Sequence, residues 1–175
     1  MNEKAQIYTL EGFVAASLMI LTVMMITKSS LIITPQNELT MDVKLKQTAD
    51  DAIAVIDMAP QTAFQYNLTE LVAGWNNQSY YFDIPQNNSL KALEYEMDTQ
   101  LKDKDISYNI DFAYVENGNF IVKHAIIHGE PIENSVVATR LVTLYNSTVT
   151  TAGGSWNISP NDLKVVEVRL IAWQV

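Results

Sequence analysis

Cysteine is absent from the 175 residues. No disulfide can close and no thiolate can hold a metal, so any folded part must rest on an apolar core. Histidine is nearly as scarce: His124 and His128 are the only two. Read as strand residues four apart, they share one face about 13 Å from each other, too far to hold one ion. There is no glycine-rich phosphate loop, nucleophile elbow or nucleotide fingerprint. The neighbouring carboxylates Asp50-Asp51 and Asp103/Asp105 read as solvated surface rather than acid–base pairs. Positive charge is also short. Eleven Lys and Arg stand against 20 Asp and Glu, for a net charge of −9. A field of that sign repels phosphate backbones and argues against nucleic-acid binding. These absences leave no case for an enzyme, a cofactor or a metal site.

What the chain does have is one long apolar run. From Gly12 to Thr27 every residue is apolar, small or hydroxylated, and after Lys28 the run resumes through Leu31, Ile32 and Ile33 to Thr34. As a helix it spans about 34 Å at ~1.5 Å per residue, enough for a bilayer core of about 30 Å. A cleaved secretory leader fits poorly, since its apolar core runs to about 7–15 residues and Thr27-Lys28-Ser29 is a poor cleavage site. The chain therefore divides into a leader region (1–11), a transmembrane or filament-core helix (12–34) and a head (35–175). Lys4 and Lys28 flank the run almost evenly, so the distribution of positive charge does not orient it.

Glu11 stands directly before this run, where a plain anchor has no use for a carboxylate. With its neighbours Lys4-Ala5-Gln6-Ile7-Tyr8-Thr9-Leu10-Glu11-Gly12, it resembles the class III signal of archaeal type IV pilin-like proteins. The resemblance implies cleavage by a membrane prepilin peptidase between Ala5 and Gln6. Glu11 is then the sixth residue of the mature chain, where the family pattern has it fifth. A cut after Gln6 restores the spacing but puts an amide where a small residue is expected. In a filament, Glu11 would be buried among packed helices and would pair with the freed amine of a neighbouring subunit. Met19, Met24 and Met25 give that helix an adaptable surface, and Gly12, Ala15, Ala16 and Ser17 allow close approach.

The rest of the chain reads as an α+β head. Pro35 restarts a helix, and Leu45, Ala49, Ala52, Ile53 and Ile56 recur at spacings of three and four over 39–58. A short helical turn is expected over 68–75. A further helix over 89–101 carries Leu90, Leu93, Met97 and Leu101 on one face. From Ile106 the period becomes two, and Asn117-Gly118 between apolar runs marks a hairpin. Strands are expected over 106–114, 120–128, 135–145 and 165–173, giving a roughly four-stranded antiparallel sheet with helices packed on it. Asn134–Tyr145 and Val165–Leu170 also resemble stretches of a family of archaeal pilin-like membrane proteins, a resemblance that adds topology and no activity.

Five Asn-x-Ser/Thr acceptor sequences, at Asn67, Asn77, Asn87, Asn146 and Asn157, fall in loops or at element ends, where N-glycans are accommodated. With the resemblance, these features lead to the expectation of a minor structural subunit of a type IV pilus-like surface filament. Its helix would sit in the cytoplasmic membrane or pack on other pilin-like subunits, with the head outside the cell. The rival is a single-pass, signal-anchored surface protein whose head binds a partner without polymerising.

Overall fold

The structure, a computed structural model, describes residues 3–29, 35–59, 66–81 and 88–174. The chain divides into two units, Met1–Leu39 and Thr40–Val175. The first contains helix α1 (Glu3–Ser29). From Glu11 to Met25 each of its side chains is exposed except half-buried Ser17, whose hydroxyl donates to the Phe13 carbonyl at 2.9 Å. Those residues make about 22 Å of helix at ~1.5 Å per residue. Among the described residues no helix is long and apolar enough to cross a membrane.

Helix α2 (Pro35–Asp57) begins on a proline, whose missing amide hydrogen is no loss in a first turn. The head continues through α3 (Leu68–Ala73), β1 (Tyr80–Tyr81), α4 (Asn88–Leu101), β2 (Ile106–Glu116), β3 (Asn119–Ile127), β4 (Val136–Tyr145), α5 (Asn146–Ala152) and β5 (Leu163–Gln174). The strands lie in the order β1-β3-β2-β5-β4. β3, β2, β5 and β4 pair antiparallel, as the alternating pattern predicts. The two-residue β1 adds a short parallel pairing at Ile126 and Ile127, which the pattern does not announce. Nor does it announce α5, a seven-residue helix directly after β4.

Local chemistry explains the turns. Asn117 and Gly118 have φ of 51° and 77°, two consecutive left-handed residues whose twist matches that of the β2–β3 strands they join. Asn67 caps α3 by accepting the Glu70 amide on its side-chain oxygen at 2.9 Å.

One core joins the helices to one face of the sheet. The helical stripes end buried: Ala49, Ile53 and Ile56 from α2, Leu68 and Leu71 from α3, Leu90, Leu93 and Met97 from α4. Opposite them stand alternate strand residues, chiefly Ile110 and Phe112 on β2 with Val166, Val168 and Leu170 on β5. Each large side chain so buried is worth about 1.5–3 kcal/mol, which makes this layer the main source of stability. Two indoles close its end. The Trp75 ring meets Phe112 edge-on at 5.1 Å and donates its Nε1–H to the Gln78 carbonyl at 2.8 Å. Trp156 lies 5.1 Å from Trp75 and donates to the Val72 carbonyl at 2.8 Å.

Among the described residues of the head, no helix packs on the opposite face of the sheet. Phe120, Val122, Val137, Leu141, Leu163 and Val165 are all exposed there, since residues two apart on a strand share a face.

The indole corner depends on two backbones touching. Ser155 donates its amide to the Trp75 carbonyl at 2.9 Å, and a Cβ on Gly154 would stand 1.8 Å from the Ala73 carbonyl oxygen. Because that obstacle is backbone, Gly154→Ala should force the α3 end and the 153–156 loop apart at a cost of about 1–3 kcal/mol. A lowered urea midpoint with a blue-to-red shift of tryptophan emission checks this. Gly118→Ala should also destabilise through its positive φ, but without moving the emission.

Candidate functional site

Among the described residues, polar groups of the head gather chiefly in three places. The first lies between α4 and the sheet. The Tyr108 hydroxyl on β2 donates to Asp98 Oδ1 at 2.9 Å and lies 3.2 Å from the Glu94 carbonyl. The His128 Nε2 is 2.7 Å from Glu94 Oε1, and its ring sits edge-on to Tyr108 with centroids 4.5 Å apart. Burial, and then the nearby Asp98 and Glu94 charges, raise the Tyr108 hydroxyl far above the usual phenol range. Tyr108 is therefore a fixed neutral donor tying helix to strand.

The second place is the helix-free face. Asp111, buried on β2, meets His124 Nδ1 at 2.8 Å, while Glu167 and Arg169 pair along β5 at 2.9 Å. The expectation that His124 and His128 share a face is overturned. The β2–β3 register slips between Ile110, which pairs with Ile126, and Asp111, which pairs with His124. The extra residue, Ala125, is a bulge, and it turns His128 toward α4 while His124 stays on the open side. Asn109 holds the far end of this slip. It is buried, accepts the His128 amide at 2.8 Å and donates to the Gly129 carbonyl at 2.9 Å.

The third place consists of two grooves. One, of about 510 Å³, runs between α3, α4 and α5 and is lined by Tyr66, Glu70, Ser89, Ser147, Thr148 and Thr151. Its size suits a small molecule, and its lining offers hydroxyls, one carboxylate and one ring. That set can hydrogen-bond and stack. The other, about 180 Å³, includes Tyr114, Glu116, Trp156 and Lys164, with Asn77 and Asn157 on its rim. Lys164 pairs with Glu116 at 3.1 Å and stands 5.0 Å from the Tyr114 ring centre. Among the described residues no three His, Asp or Glu side chains are grouped to hold a metal ion.

The residues singled out from sequence do not converge on one place. Ala5 and Gln6 fall in the backbone of α1, with side chains outside the described residues, and Glu11 is exposed on the same helix. Asn67 is the α3 cap, Asn146 opens α5, and Asn77 and Asn157 are exposed in loops. Asn87 lies outside the described residues. Sequence reasoning passed over Glu94, Asp98, Asn109 and Asp111. The last two fall on the polar side of the period-two alternation, and their burial follows from the place of β2 inside the sheet, which spacing does not give.

Tyr108 generates a pH prediction. Its folded hydroxyl keeps its proton where the unfolded chain, with an ordinary value of 10.0, loses it. Stability from this group is complete below that value and falls as pH rises above it. Tyr108→Phe should cost about 1.5–3 kcal/mol near neutrality, the range for a hydrogen bond to a charged acceptor. It should also flatten the alkaline loss of stability, read from urea midpoints on either side of the phenol titration.

No curated protein and no solved structure matches the chain. A family model does match it, over residues 4–172, a range that takes in the polar clusters and both grooves of the head as well as the helix that carries Glu11. The chain belongs to this family of unknown function (DUF7288).

Proposed function

We propose that the protein is a minor structural subunit of a type IV pilus-like surface filament. In this reading the apolar run that begins at Gly12 in α1 is the membrane anchor before assembly and part of the filament core afterwards. The head stands outside the cell. The observation that carries the reading is the exposure of α1: Phe13, Met19 and Met25 are 74%, 73% and 75% exposed. An apolar helix left this bare needs lipid or other helices around it. Glu11 at the entry to that surface gives the second half of the argument. Within packed helices its carboxylate needs a cation, and the amine released by leader cleavage on a neighbouring copy supplies one. The family match spans residues 4–172 and so takes in both α1 and the head. The α+β head, with its acceptor asparagines in loops and at helix starts, suits an external and glycosylated surface.

Mass and amino-terminal sequence of the protein from native membranes test the reading. The expected start is Gln6 or Ile7. Glu11→Ala should then leave the head folded and the protein in the membrane while removing it from the sheared filament fraction. A start at Met1 or Asn2 would replace the filament with a single-pass surface protein whose head binds a partner. A start beyond Lys28 would make the head a secreted domain and end both readings.

A further inference from the structure

The two outer strands of the sheet are guarded very differently. On one side, β1 covers β3 at Ile126 and Ile127, and β3 carries a bulge and the exposed Lys123. These are devices that stop an edge from recruiting another strand. On the other side, β4 runs for ten residues with an unbroken register against β5 and contains no proline. Its one charge, Arg140, is tied to Asp57 of α2 at 2.8 Å. Half of its backbone groups point away from β5, and among the described residues no strand or main-chain group meets them. An edge of this kind is a template for another strand.

We propose that β4 is an interface that pairs antiparallel with β4 of a second copy of this chain, about a two-fold axis at Leu141. The sequence of β4 complements itself in that register. On the helix-free face Leu141 meets Leu141 of the other copy, Thr139 meets Thr143, and Val137 meets Tyr145. Apolar contacts, hydroxyl pairs and aromatic–β-branched pairs are the cross-strand combinations that stabilise sheets. On the helix side Arg140 meets Val142 and Ala138 meets Leu144, so no like charges face each other. Moving the axis one residue, to Arg140, would set two guanidinium groups opposite one another, which penalises that alternative. The exposure of Leu141, 69%, leaves it free for the contact. Charge favours the same occupant. On the adjoining open face Glu167 is already paired with Arg169, and Asp111 is buried with its carboxylate on the His124 ring, so two copies meet there without exposed like charges. This inference concerns the head alone and stands whether or not the leader is cleaved.

The absence of cysteine makes the test direct. Leu141→Cys, Thr139→Cys and Thr143→Cys are expressed in the full chain, oxidised in native membranes and read on non-reducing gels. In the stated register the thiols of two Leu141→Cys chains face each other, within the reach of a disulfide after small adjustment. In two Thr139→Cys chains, or two Thr143→Cys chains, the thiols lie about 13 Å apart and cannot join. Leu141→Cys should therefore give covalent dimer at least ~10-fold faster than either threonine variant, and the double variant Thr139→Cys/Thr143→Cys should recover it. Leu141→Lys, at an exposed position where folding is untouched, should turn the detergent-solubilised dimer into monomer with an unchanged circular dichroism spectrum. Equal oxidation of all three single variants would mean random collision and overturn the proposal. So would a lack of dimer with the β4 amides protected from exchange, which would mean that another segment or a different protein occupies the edge.

Discussion

The head depends on the burial of helical stripes against alternate residues of β2 and β5. Phe112 shows how much converges there: it is fully buried on the central strand, and Trp75 packs on it from the end of α3. A sheet has two faces, however, and the helices cover only one. What is apolar and exposed on the second face adds little to the fold of a single chain. Leu141 and Leu163 are exposed there, and Phe120 gains only the Arg169 guanidinium over its ring at 5.4 Å. Their side chains are better explained by what the protein meets than by how it folds.

Polar groups mark the borders of that core. Tyr108, Trp75 and Trp156 each bury a ring and satisfy one polar atom on a backbone or carboxylate acceptor. Tyr108 among them fixes the lateral position of α4 on the sheet, because sliding would leave a buried donor without its acceptor. Arg140 and Asp57 do similar work more weakly, being part exposed and screened by water. The apolar layer thus sets how stable the head is, and these few polar ties set its register.

Much of this was legible in the residues. The stripes of α2 and α4, the Asn117-Gly118 hairpin and the four antiparallel strands follow from period, spacing and turn chemistry, because each is a local property. What was not legible is non-local. β1 is two residues whose pairing depends on where β3 happens to lie. α5 is rich in Ser and Thr, poor helix formers, and buries only Val149, so no apolar stripe betrays it. The bulge at Ala125 left no trace in the alternation, yet it moved His128 to the other side of the sheet. The Glu94–His128–Tyr108–Asp98 cluster follows from that slip, and so could not be assembled from spacing alone. The apolar run of α1 is the opposite case. It is conspicuous in the sequence, and its meaning rests on surroundings that lie outside the chain.

Net charge limits what those surroundings can be. At −9, copies of the chain repel one another at distances up to about one Debye length, ~8 Å at physiological salt. Association is then restricted to places where the local field is weak and contact is good. The open face of the sheet meets that condition because Glu167 is paired with Arg169 and Asp111 is buried, and β4 meets it because its one cation is tied to Asp57. Between Glu11 and Met25 α1 meets it by having no charge besides Glu11 itself. The same charge that repels most encounters thus leaves few surfaces at which another copy meets little repulsion.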